Sequence, residues 1–168
     1  MNWQNIWSVI EGLGYDFQHF EVEDFIHHLE QQRGRTILRV SYNFRPGLTG
    51  LWIPAETADY IFYARLTHPI HQVHIVLHEI AHMLLKHNTV RIDQFLPPEM
   101  REVLHRLRDV EYLSSANFRD DSQEEEAEAF VYLIQRRIVA ARRFDKLTRA
   151  ITSIEGLDRF TDTLGWME

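Results

Sequence analysis

The chain contains no cysteine. Disulfide frameworks and thiolate metal sites are therefore excluded, and any bound metal must be held by histidine, aspartate or glutamate. No apolar run approaches the roughly 18 residues needed to span a bilayer. The opening segment, MNWQNIWSVIEGLGY, has neither the basic n-region nor the small-residue cleavage site of a secretory signal. These absences predict a protein without a membrane partner and make the cytoplasm the simplest location. Positive charge is also in short supply. Lys and Arg total 18 against 25 Asp and Glu, a formal net charge of -7, which argues against attraction to nucleic acid through the whole-molecule field. What remains is an ordinary globular composition over 168 residues, enough for a single domain with its own core. Histidine stands out: there are ten, and five fall between His68 and His82.

Neither an internal repeat nor a low-complexity linker divides the chain, so residues 1–168 are read as one domain. Trp3, Ile6, Trp7 and Ile10 recur at helical spacing, predicting a helix over Asn2–Leu13 that Gly12 and Gly14 end. A second helix is expected over Val22–Gln32, closed by Gly34. Alternation predicts a strand over Thr36–Phe44, followed by an Arg45-Pro46-Gly47 turn. Leu48–Ile53 and Tyr60–Tyr63 read as two further strands of a small antiparallel sheet. Pro69 then opens a long helix to about His87. Pro97-Pro98 starts another, to about Tyr112, and Ser114–Asp121 is a polar loop. Ser122 and Glu125 form an S-x-x-E capping box, which predicts a helix from about Gln123 to Arg142. One or two short helices finish the chain. Helices, then sheet, then helices make the class α+β.

His78-Glu79-Ile80-Ala81-His82 is an H-E-x-x-H motif on the predicted helix. Residues four apart share a helix face, so both imidazoles can reach one ion. Glu79 lies about 100° round from His78, beside such an ion rather than on it, where a carboxylate can take a proton from water. The bland alternative is a helix whose histidines only face solvent. Against it, Val73, Val76, Leu77, Ile80 and Leu84 form an apolar stripe, and His71, His74, His78 and His82 form a second stripe opposite, an odd composition for a solvated face. The expected cofactor is one Zn2+ per chain.

A catalytic zinc takes three protein ligands and keeps one open position. The stretch Gln123-Glu124-Glu125-Glu126-Ala127-Glu128-Ala129-Phe130 is the best source of the third. Most of these glutamates are expected to be a solvated first turn favoured by the helix dipole. Ala127, Phe130, Val131, Ile134 and Ile138 define the buried face. Glu124 lies nearest its centre, Glu126 and Glu128 on opposite flanks, and Glu125 points away. Glu124 is therefore the leading third ligand and Glu128, one turn on, the alternative.

H-E-I-A-H, followed by Glu124-x-x-Ala127-Glu128-x-Phe130 and preceded by the Gly50–His74 segment (GLWIP…YIFYA…HPIHQVH), resembles the ImmA/IrrE family of metallo-endopeptidases. The resemblance covers about Thr36–Ile138. It implies a zincin-like metalloprotease fold, a small sheet packed on the motif helix, with the motif core over about 36–140. It implies that His78, His82 and Glu124 ligate zinc and that Glu79 is the general base. Glu128 occupies the position of a second polar residue, usually Asn or Asp in the family, which would accept from the His78 imidazole. The implied activity is site-specific cleavage of a helix-turn-helix repressor encoded nearby, in a stress response or mobile element. A substrate backbone is expected on an edge strand, either Leu48–Ile53 or Tyr60–Tyr63.

An oxyanion needs a further donor. His71, His74, His68, Tyr63 and Tyr112 are the candidates, each equally readable as a surface or packing residue. A basic cluster, Arg136, Arg137, Arg142 and Arg143 with Lys146 and Arg149, reads first as a solvated helix end and second as a nucleic-acid contact. The competing function is a non-catalytic zinc-containing module that binds a regulatory partner, as in a toxin–antitoxin pair.

Overall fold

The structure is a computed structural model that describes residues 1–44, 47–55, 57–87 and 121–164, with side chains as far as residue 146. The helix and loop expected from Pro97 to Ser114 and beyond lie outside the described residues, as does Tyr112.

Two short helices lead. In α1 (Trp3–Gly12) the Asn2 side chain caps the first turn by accepting the Asn5 N–H at 3.1 Å, and Ile6 and Ile10 are buried. In α2 (Val22–Arg33) the last turn is closed by Gly34 in the left-handed region, φ 63°, its N–H donating to the Glu30 carbonyl. Three strands follow: β1 (Thr36–Tyr42), β2 (Gly50–Pro54) and β3 (Ala58–Ala64).

The sheet is mixed, in the order β1-β3-β2, and this corrects the antiparallel expectation. β2 pairs antiparallel with β3, but β1 pairs with β3 in parallel, Thr36 opposite Ala58 through Tyr42 opposite Ala64. The connection after β1 skips one strand position, about 4.8 Å wide, and β3 fills the gap. Alternation along the strands separates two faces. Trp52 and Ile61 join the main core with the helices, while Leu51, Ile53, Tyr60 and Phe62 form a second cluster on the other face. At one end of β3 the carboxylate of Asp59, 1% exposed, is held by Arg33 at 2.8 Å, Arg35 at 3.0 Å and the Trp52 indole N–H at 3.0 Å. That buried charge is therefore paired with two arginines at Oδ2, while Oδ1 accepts the indole N–H.

The motif helix α3 (Pro69–Leu84) packs on β2 and β3 with one side and on a last helix, α4 (Asp121–Leu164), with the other. α4 begins by Asp121, so Ser122 lies inside it rather than capping it. It also runs on where separate short helices were expected. From Asp121 to Glu155 there is neither glycine nor proline to stop it, and the single Gly156 is tolerated. Ala127, Phe130, Val131, Ile134 and Ile138 are all buried, as their spacing required. The α+β class stands, with four helices and one three-stranded sheet among the described residues. None of these helices is long and apolar enough to cross a membrane.

Candidate metal centre

α3 starts at His68, whose Nδ1 accepts the Ile70 N–H at 3.3 Å, and at Pro69, which suits the first turn. His68 is thus a capping residue. Val76, Leu77 and Ile80 are buried and Val73 and Leu84 half-buried, so the apolar stripe faces the core. The histidine row opposite does not face water throughout. His71 is exposed, but side-chain exposure falls to 34% at His74, 13% at His78 and 1% at His82. The cover is α4, whose first two turns lie across the row.

At the buried end, three side chains from the two helices converge. His78 Nε2 lies 3.0 Å from His82 Nε2 and 3.0 Å from Glu124 Oε2, and His82 Nε2 lies 3.5 Å from Glu124 Oε1. In a tetrahedral zinc site with Zn–N bonds of 2.0–2.1 Å, ligand atoms are separated by about 3.3–3.4 Å. The separations, one of them measured to the second oxygen of the Glu124 carboxylate, lie close to that edge length. A cation there would also satisfy three lone pairs that otherwise compete for too few protons. The residues His78, His82 and Glu124 are accordingly a group that could hold a metal ion.

Glu79 is 2% exposed on the flank of α3 toward the sheet. Its carboxylate reaches the first residue of β2: a Cβ on Gly50 would fall 2.7 Å from Glu79 Oε1 and 2.6 Å from Ile75 Cγ2. The absent side chain at Gly50 is what makes room for the Glu79 carboxylate. β2 has a strand partner on one side alone, among the described residues, whereas β3 is paired on both. This rules out Tyr60–Tyr63 as an edge for a substrate strand and leaves β2. Tyr63 is the cross-strand partner of Gly50.

Glu128 lies on the far side of His78, its Oε1 3.0 Å from His78 Nδ1 and 3.4 Å from His74 Nε2. The Nδ1 approach is not aligned as a hydrogen bond, and this buried nitrogen has none among the described residues. His74, His78 and Glu128 form a second group able to converge on an ion, but a wetter one, with Glu128 55% exposed. Water competes less at the His78, His82 and Glu124 triangle, which is the better site on that ground. Burial pushes the His78 pKa down. The hydrogen bond to Glu124 and the negative field of Glu79, Glu124 and Glu128 outweigh it and hold the value above that of an ordinary histidine.

Two residues escaped the sequence reading. α3 ends at Leu84 rather than at His87, because Lys86 turns the chain through the left-handed region at φ 56°. The His87 N–H donates to the His82 carbonyl and the Lys86 N–H to that of Met83, the two bonds of a Schellman turn. His87 is folded back onto His82, Nδ1 to Nδ1 at 2.8 Å, and its Nε2 faces Glu126 Oε2 at 3.3 Å. On a continuing helix, His87 would sit about 140° round from His82. Only a glycine at position 86 would have signalled the turn.

The remaining candidates are dispersed. His74 stacks beside His78, ring centroids 6.5 Å apart, and its Nδ1 lies 3.4 Å from Gln135 Nε2. Among the described side chains the basic residues do not make one patch, and that of Arg149 lies outside them. Arg137 lies over the Trp7 ring and Arg142 donates to the Phe20 carbonyl, both toward the N-terminal helices. Arg136 lies over Tyr132 and, with Arg143, lines a shallow groove on the outer face of α4. No family model, curated protein or solved structure matches the chain, so its site is read from its own residues.

Proposed function

We propose that the chain is a zinc-dependent endopeptidase of the ImmA/IrrE type, a single zincin-like domain in which His78, His82 and Glu124 hold the metal and Glu79 is the general base. One observation carries the reading. Two imidazoles one helical turn apart and a carboxylate from a helix 46 residues later meet within ligand distance, with a buried glutamate next in sequence to the first histidine. The packing of α3 on β2 and β3 supports a zincin-like arrangement.

A bound zinc ion would supply Lewis acidity, lowering the pKa of a water to about 7 and polarising a carbonyl oxygen. The chain's own residues do the rest. Glu79 accepts a proton from the attacking water as its oxygen adds to the peptide carbonyl carbon. As the carboxylic acid, Glu79 then returns that proton to the amide nitrogen, the C–N bond breaks, and an amine and a carboxylate leave. The edge of β2 that pairs with no strand among the described residues orients an extended substrate by backbone hydrogen bonds and brings it past Gly50 to Glu79. Glu128 stands behind His78, its Oε1 3.0 Å from Nδ1, and adds to the negative field on that ring. The family resemblance adds the substrate, a helix-turn-helix repressor.

The test is a Glu79→Gln variant of the full chain. Zinc content and affinity should match wild type. Cleavage of a mixture of peptides that contains helix-turn-helix sequences, read by mass spectrometry, should disappear. Equal cleavage by the variant refutes the assignment. Stoichiometric zinc with no cleavage by wild type would favour the non-catalytic module.

A further inference from the structure

The histidine row continues past the metal triangle as a chain of hydrogen-bonding groups: His82, His87 and Glu126. His82 is 0% and His87 9% exposed, so water does not readily replace either partner. Their rings meet edge to face, 69° apart with centroids at 4.9 Å. Glu126 is held from its other side, where Oε1 accepts the Asn2 backbone N–H at 2.6 Å and lies 3.9 Å from the terminal amino group.

The order of these groups fixes where each proton sits. An ionised carboxylate only accepts, so His87 must present an N–H to Glu126 from Nε2. Neutral imidazole carries one N–H, which leaves His87 Nδ1 as a lone pair. The Nδ1–Nδ1 contact at 2.8 Å holds one proton, and it must then belong to His82. That in turn leaves His82 Nε2 as a lone pair, and Nε2 is the atom that faces His78 and Glu124.

We infer that His87 and Glu126 are positioning residues that lock His82 into the tautomer with its proton on Nδ1, so that Nε2 is ready to ligate. The inference rests on the metal site proposed above and adds two members to it. A metal-bound histidine needs an acceptor behind it to fix its ring and its tautomer. Here a second histidine is the acceptor, and a carboxylate orients it in turn. The Schellman turn at Lys86 is what delivers that acceptor to a buried ring.

The experiment compares the full wild-type chain with His87→Phe, which keeps a ring and removes the acceptor, and His87→Asn, whose Oδ1 stands where Nδ1 stood. Zinc affinity is measured by competition with a chelator, and the His82 tautomer by long-range proton–nitrogen NMR of the metal-free protein. His87→Phe should bind zinc about 10–100-fold more weakly, and His87→Asn should recover most of the loss. Wild-type His82 should carry its proton on Nδ1. Unchanged affinity in His87→Phe overturns the relay and leaves the metal site standing. So does a His87→Asn variant no better than His87→Phe, or a wild-type His82 protonated on Nε2. A wild-type chain that takes up no zinc overturns both. Should His87→Phe fail to fold, the wild-type tautomer and the His87→Asn affinity decide.

Discussion

The closest test of the proposed chemistry lies on the sheet rather than on the motif helix. Gly50 opens β2, and its φ lies outside the left-handed region, so an added methyl strains no backbone. The cost of Gly50→Ala is contact alone. Its Cβ would meet Glu79 Oε1 at 2.7 Å and Ile75 Cγ2 at 2.6 Å, whereas ordinary contact begins at 3.4 Å. Glu79 must therefore retreat by about 0.7 Å (3.4 − 2.7) if the backbone holds, beyond the roughly 0.5 Å within which a catalytic group must be kept. A misplacement near 1 Å costs on the order of 100-fold in rate. Overpacking of this kind costs about 1–3 kcal/mol, and at about 2–4 °C per kcal/mol a chain of this size should lose roughly 5 °C in Tm. The atoms nearest the new methyl belong to Ile75 and Glu79 and not to the three proposed ligands, so zinc affinity should stay near wild type. The assays are chelator competition, thermal melting and peptide cleavage on the same protein. Unchanged cleavage with an unchanged Tm would mean that Glu79 does not rest against Gly50. A loss of zinc equal to the loss of cleavage would mean that Glu79 acts through the metal site and not as a base beside it.

Two further outcomes follow from the site. Lys86→Gly should stabilise the protein by about 0.5–1 kcal/mol, since the left-handed conformation costs a residue with a Cβ roughly 1–2 kcal/mol and glycine returns part of that as chain entropy. A lower Tm in this variant would contradict the turn that carries His87. The raised pKa of His78 sets a pH dependence. Its folded value lies above the unfolded one, so its pairing with Glu124 stabilises the metal-free protein fully below the ordinary histidine pKa and is lost as pH rises through the folded value. Metal-free Glu124→Gln should therefore be less stable than wild type near pH 5, with the gap closing toward pH 8, read from thermal midpoints. A gap independent of pH refutes the pairing. Zinc, which needs the neutral ring, should bind more weakly as pH falls through the same value.

How much of this was legible in the chain depends on which physical signal carried it. Helix periodicity is local, and it worked for the buried face of α4 and for the convergence of His78 with His82, but it ranked Glu124 as the most inward glutamate, whereas its side chain is 40% exposed and that of Glu126 15%. Strand existence was legible from alternation, but strand order was not. A short connection after β1 suggests a hairpin, and nothing in Thr36–Tyr42 states that β3 will insert between it and β2. Gly50 could be seen in the sequence, yet its purpose needs the third dimension, because the atom it avoids belongs to a residue on another element. His87 was hidden by a different cause. A lysine in the left-handed region has no compositional signature, and one changed φ at Lys86 converts a histidine that would point away from the motif into the acceptor behind His82. Glu126 was lost in turn, since without His87 it is one glutamate among several in an acidic first turn. Periodicity thus finds the residues that share a helix face with a metal, while the groups that orient those ligands arrive through turns and caps, where pattern ends.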